Sequence, residues 1–173
     1  AKALKGRSEI ITLRLVDCSF PEGGGAVIAR ALKTNTTLEH LFFEQRGDEV
    51  FCEVLAAALL SNSTLQNLSL SAPGSSAYNT GSCSWLSPLF LALQSNSGLK
   101  KLHIDGIHLT DEKLSTAMRL GLGKNSTLES LNLSNIKSGD NDSSVWQEAL
   151  SFLRTNKSLK VLHMILVPNV TET

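Results

Sequence analysis

Leu128-Glu129-Ser130-Leu131-Asn132-Leu133 is one of six versions of a single phrase, apolar-x-x-Leu-x-apolar, and this phrase decides the fold. The other copies run from Ile10 to Leu15, Leu38 to Phe43, Leu65 to Leu70, Leu99 to Ile104 and Leu159 to Met164. They start at positions 10, 38, 65, 99, 128 and 159, so the intervals are 28, 27, 34, 29 and 31 residues. A recurring period of this size predicts a solenoid of stacked repeats. Within each copy the Leu-x-apolar alternation has period two, which suits a short strand with one buried face.

A second element precedes each phrase. Six residues before its first residue stand Leu4, Leu32, Leu59, Leu93, Leu122 and Leu153; ten before stand Ile28, Leu55, Leu89, Met118 and Ala149. A separation of four places each pair on one face of a helix. Three residues before the phrase come Asn35, Asn62, Asn96, Asn125 and Asn156, with Arg7 in the first copy. Asparagine tolerates the left-handed conformation that ends many helices, so these residues are expected to be helix stops. Helix starts are marked by Asp48, by Thr110 and Asp111, and by Ser144 in the capping-box run Ser144 to Gln147. The unit is therefore strand, loop, helix, turn. Neither element can bury its apolar stripe alone, so successive units must stack into a parallel sheet with helices on its other side. Each fully buried leucine contributes on the order of 1.5–3 kcal/mol to such a stack. Helices are wider than strands, so the array should curve with the sheet on its concave wall.

Composition limits the function classes. The 173 residues are 42% hydrophobic, and lysine plus arginine equals aspartate plus glutamate at 16 each. A neutral chain with a pI near 7.1 has no general attraction for nucleic acid or acidic membranes. No apolar run approaches the roughly 20 residues that span a bilayer. The first residues lack the apolar stretch of a secretory signal. Ala1-Lys2-Ala3-Leu4-Lys5 aligns with Ala29-Arg30-Ala31-Leu32-Lys33, so residues 1–173 are expected to be one repeat domain cut from a longer chain. Uncovered ends of such a fragment can stack on one another, giving end-to-end self-association. Of the three cysteines, Cys18 and Cys52 fall at positions expected to be buried, and Cys83 lies in an exposed-looking Ser/Gly-rich stretch. An odd number without paired spacing is a poor disulfide framework and fits a reducing, cytoplasmic setting.

The period, the helix in each unit and the wording Ala29-Arg30-Ala31-Leu32-Lys33-Thr34-Asn35-Thr36-Thr37-Leu38 make the chain resemble the leucine-rich repeat superfamily. Within it, the chain is similar to the ribonuclease-inhibitor-like subclass, which includes repeat regions of NOD-like receptors, GTPase activators of Ran, and tropomodulin. The subclass pattern is complete in Ile10-x-x-Leu13-x-Leu15-x-x-Cys18. It departs at Arg46, Pro73, Ile107 and Ile136, where Asn or Cys is usual. The resemblance implies a curved α/β solenoid, parallel strands on the concave face and helices on the convex one. It also implies an intracellular binding role.

The strand residues that point away from the core are the candidate contact surface. They are Thr12 and Arg14; His40, Phe42 and Glu44; Asn67, Ser69 and Ser71; Lys101, His103 and Asp105; Ser130, Asn132 and Ser134; Val161, His163 and Ile165. The strongest candidates for binding another protein are His40, Phe42, Lys101, His103, Asp105, Asn132 and His163. Tyr78 and Trp85 join them from the long third interval, since insertions in solenoids become loops on one face. Alternatively, Trp85 simply folds back onto the next helix. Catalytic and cofactor motifs fail on inspection. Gly123-Lys124-Asn125 lacks the earlier glycine and the Ser or Thr of a P-loop. Asp140-Asn141-Asp142 lacks the later Gly and Glu of a calcium loop. His103 and His163 share a row at about 10 Å, too far for one zinc ion. The Asn-x-Ser/Thr triplets at Asn35, Asn62 and Asn125 are products of the repeat's turn. No catalytic residue, metal or cofactor is expected. Three rivals remain: a Ran-type GTPase activator acting through Arg46, an actin pointed-end capping module, and a passive spacer between domains.

Overall fold

The computed structural model describes residues 9–16, 18, 23–44, 49–71, 83–109, 112–138 and 143–166. Six phrases give six strands: β1 (Thr12–Leu15), β2 (His40–Glu44), β3 (Asn67–Ser71), β4 (Lys101–Asp105), β6 (Ser130–Ser138) and β7 (Val161–Leu166). All pair in parallel and in chain order. The registers place Leu13, Leu41, Leu68, Leu102, Leu131 and Leu162 side by side, which is the alignment that the repeat requires. A further short strand that the repeat does not announce, β5 (His108–Leu109), pairs with the far end of β6.

Five helices return the chain: α1 (Gly24–Leu32), α2 (Glu49–Leu59), α3 (Ser87–Leu93), α4 (Glu112–Lys124) and α5 (Ser143–Leu150). Each packs on the next, α1 on α2 through α4 on α5. In α4 the buried residues Leu114, Ala117, Met118, Gly121 and Leu122 recur at three and four, the spacing of one helical stripe. Gly121 allows α4 to lie tight against α3, since a Cβ there would lie 1.8 Å from the Phe90 carbonyl oxygen. Helix and strand leucines meet in one contiguous core. Strands lie about 4.8 Å apart while packed helices need about 8–10 Å, a mismatch that favours curvature toward the open side of the sheet.

The asparagines before each strand do something other than what their sequence context predicts. Among the described residues the only non-glycine with positive φ is Asn135, so none of these five ends its helix in the left-handed region. Asn35, Asn62, Asn96 and Asn125 are buried instead. Each Oδ1 accepts the two backbone N–H groups that turn the chain into the strand, as in Thr64 and Leu65 for Asn62. Each Nδ2 from Asn62 onward donates to the preceding repeat. Asn96 donates to Leu59 O at 2.7 Å and Asn62 O at 3.1 Å; Asn125 reaches Leu93 O and Asn96 O; Asn156 reaches Leu122 O and Asn125 O. Carbonyls at helix ends lack intrahelical partners, and this ladder supplies them.

Other expectations change as well. Leu153 is 48% exposed, and Phe152, at 1%, takes the core position. The cause is that α5 gives way at Ser151–Arg154 to a 3-10 turn, which rotates each residue further than an α-helix does. Cys52 is buried as expected, but Cys18 is exposed and Cys83 is buried. Cys18 follows the edge strand β1, where no neighbouring unit among the described residues covers it. Cys83 Sγ accepts the His108 N–H at 3.2 Å and lies against Gly106 O, helping to shape the turn after β4. Gly106, at φ 81°, makes that turn. Ile107 and Ile136, where the subclass places Asn or Cys, are fully buried apolar fillers. Ser144 lies inside α5, which begins one residue earlier. Asp48, Thr110, Asp111, Pro73, Arg7 and the Asp140–Asp142 run lie outside the described residues.

Candidate binding face

Strand alternation sends one set of side chains into the core and the other to the open side of the sheet, and the register arranges the second set in rows. The first row reads Thr12, His40, Asn67, Lys101, Ser130, Val161. The second reads Arg14, Phe42, Ser69, His103, Asn132, His163. The third includes Glu44, Ser71, Asp105 and Ser134. The helices lie on the core side, so this face carries polar and aromatic groups without a covering layer among the described residues.

A depression of about 380 Å³ opens at its centre, lined by Phe42, Asn67, Leu68, Ser69, Lys101, Leu102, His103, Ser130 and Asn132. Its walls are partly organised by contacts along the rows. Asn67 Nδ2 lies 2.6 Å from His40 Nδ1, so with the amide as donor the ring proton sits on Nε2, 4.0 Å from Glu39. The Arg14 guanidinium stacks over Phe42 at 4.3 Å from the ring centroid, a cation–π contact that holds the aromatic edge toward the depression. His103 and His163 flank Asn132 in the second row, two strand spacings apart.

Among the sequence candidates, Phe42, Lys101, His103 and Asn132 are thus gathered around one hollow, with His40 beside it and His163 at the β7 edge. Asp105 has a different employment. Its carboxylate accepts Ser134 Oγ at 2.8 Å, Asn135 Nδ2 at 2.6 Å and Ser71 Oγ at 3.4 Å, tying β3, β4 and β6 together. Trp85 is partly buried and packs against the core, in a 3-10 turn (Ser84–Leu86) that leads into α3. Tyr78 and Arg46 lie outside the described residues. Ser69 and Ser130 also line the hollow, though nothing in their residue type marks them; only the register does. Among the described residues no three His, Cys, Asp or Glu side chains converge as metal ligands. No described helix is long and apolar enough to cross a membrane.

The rim holds one perturbed acid. A hydrogen bond from Lys160 at 2.9 Å, reinforced by its charge, keeps the exposed Glu129 carboxyl below its ordinary value.

No protein-family model matches the chain, and no curated protein matches it. Among solved structures it is similar to leiomodin-1 actin-binding site 2, with a TM-score of 0.61 over 86% of this chain and 81% of that one, at 20% identity. At that identity the likeness is one of fold. The stacked strand-and-helix units, their aligned leucines and this likeness together give the chain a leucine-rich-repeat architecture: a parallel sheet open on one side and covered by helices on the other.

Proposed function

We propose that this chain is a non-catalytic scaffold that binds another protein on the open face of its sheet, in the manner of intracellular, ribonuclease-inhibitor-like repeat modules. The observation that carries the reading is the central depression, where four strands present aromatic, cationic and amide side chains with no layer of described residues above them. A balanced charge argues against nucleic acid and acidic membranes as partners. Contact is the role assigned to His40, Phe42, Lys101, His103, Asn132 and His163, with Asp105 setting the face's shape. The test is site-specific photocrosslinking in cell extract, with a photoreactive residue at Ser69 on the open face or at Leu91 on the exposed surface of α3. Protein adducts from position 69, lost in the F42A/H103A/H163A triple variant, are the expected result. Adducts from position 91 alone would reject the assignment of the face.

A second reading names the partner as actin. The similarity to leiomodin-1 actin-binding site 2 favours it. Actin elongation from the pointed end, measured with and without the chain, decides it: slowed elongation supports actin binding, and unchanged elongation together with no co-sedimentation rejects it.

A further inference from the structure

The central depression has a more particular chemistry than the face around it. Lys101 is exposed and takes part in none of the ion pairs among the described residues, which are His40–Glu39, Arg119–Glu148 and Lys160–Glu129. The carboxylate on its own strand, Asp105, is occupied by Ser71, Ser134 and Asn135. Glu129 lies within electrostatic reach of Lys101 but is hydrogen-bonded to Lys160. The hollow therefore contains a cation, an imidazole and two serine hydroxyls, and no carboxylate among its described lining residues. Asn132 adds an acceptor: its Oδ1 is shielded from solvent and has no hydrogen-bond partner among the described residues. A buried acceptor without a donor is unfavourable, and a rotation of this half-buried side chain would bring it to a ligand N–H.

Building on the reading of this face as a protein-binding surface, we propose that the depression takes an extended acidic segment of the partner protein. Its carboxylate sits over Lys101 and His103, within reach of the Ser69 and Ser130 hydroxyls. One of its backbone N–H groups satisfies Asn132 Oδ1, and an apolar side chain packs against Phe42 beside the stacked Arg14 guanidinium. From Phe42 on β2 to Asn132 on β6 the register crosses three strand spacings. That is about 14 Å, the reach of roughly four extended residues. Charge complementarity selects acid over base, and Phe42 offers an apolar neighbour its contact.

The test uses the whole chain and a peptide that reads the same in both directions, Ac-Leu-Ser-Asp-Ser-Leu-amide, with its Asn counterpart as control. Backbone amide signals are followed by NMR during titration. The expected result is saturable shifts at Ser69, Lys101, His103 and Asn132 with the Asp peptide. The Asn peptide, or the K101A variant with the Asp peptide, should bind at least about tenfold more weakly, the loss of one charge-assisted contact. Raised salt should weaken the Asp peptide and leave the Asn peptide unchanged. Equal affinity for the two peptides, shifts elsewhere, or no shifts would overturn the proposal. So would inorganic phosphate at equal concentration producing the same shifts as the Asp peptide, because that marks a site for any anion. If photocrosslinks from position 69 persist while the Asp peptide shows no preference, the acidic chemistry falls and the binding face stands. If both fail, both fall.

Discussion

Asn96→Ala is the sharpest probe of what holds the repeats together. Asn96 is 5% exposed and its side chain makes four hydrogen bonds, donating to Leu59 O and Asn62 O and accepting from Gly98 N and Leu99 N. Alanine leaves two carbonyls and two amides without partners in the interior. Each buried group left unpaired costs about 1–3 kcal/mol. The vacated space presents several polar groups to an entering water, which recovers part of that loss. The expected net destabilisation is therefore about 3–5 kcal/mol, a large share of the 5–15 kcal/mol typical of a domain. Asn156 makes the same set of bonds but is only half-buried at the last rung. Bulk water can replace it there, so Asn156→Ala should cost only about 1–2 kcal/mol. Urea unfolding followed by far-UV circular dichroism measures both. Equal losses at the two positions, or less than about 1 kcal/mol at Asn96, would refute the claim that buried rungs carry the stacking.

The remaining expectations concern other parts of the molecule. Gly121→Ala should lower stability by about 1–3 kcal/mol although alanine favours helix by about 1 kcal/mol, because α4 must move off the Phe90 carbonyl; thermal unfolding gives the sign, and a gain would contradict the tight approach. Lys160→Met should bring the Glu129 carboxyl back toward its ordinary value in an NMR titration, with little change in thermal midpoint because both groups are exposed. The sign follows from a depressed acid: its small contribution is present above the unfolded-state value and disappears as pH falls through the lower, folded-state one. Finally, β7 exposes Val161, Ile165 and Leu166, and Ile10, Ile11 and Val16 are exposed around β1 at the opposite edge of the sheet. Sedimentation should show concentration-dependent self-association that I165K/L166K reduces; a chain that stays monomeric at all concentrations would deny that these edges are adhesive.

The strands were legible because their signal is local and repeated: Leu-x-apolar sets the buried face, and the recurring period sets the register. The asparagines stand out in the sequence, but their task does not. Their side-chain partners lie one repeat away in the chain, so a local rule about helix ends could not see them. Leu153 departs from its expected place for a related reason, since an α-helical phase does not extend to where the helix tightens to a 3-10 turn. The two-residue strand β5 is too short to carry a periodic signal. On the open face, Phe42, Lys101, His103 and Asn132 announce themselves by type. Ser69 and Ser130 count only through the neighbours the register gives them. Asp105 looks like a free surface acid in the sequence, and it is the serines at 71 and 134, in the same row, that reveal it as a tie between strands.

The asparagine ladder is directional, and that has a consequence for how the chain is made. Every rung closes the helix end of the unit behind it, so a unit is finished only when its successor arrives. A ribosome delivers units in that same order, each newcomer sealing what has just emerged. Trimming from the C-terminus should therefore unlatch one defined pair of carbonyls at a time, Leu122 O and Asn125 O first. The growing molecule behaves like a ratchet whose pawl is a single amide.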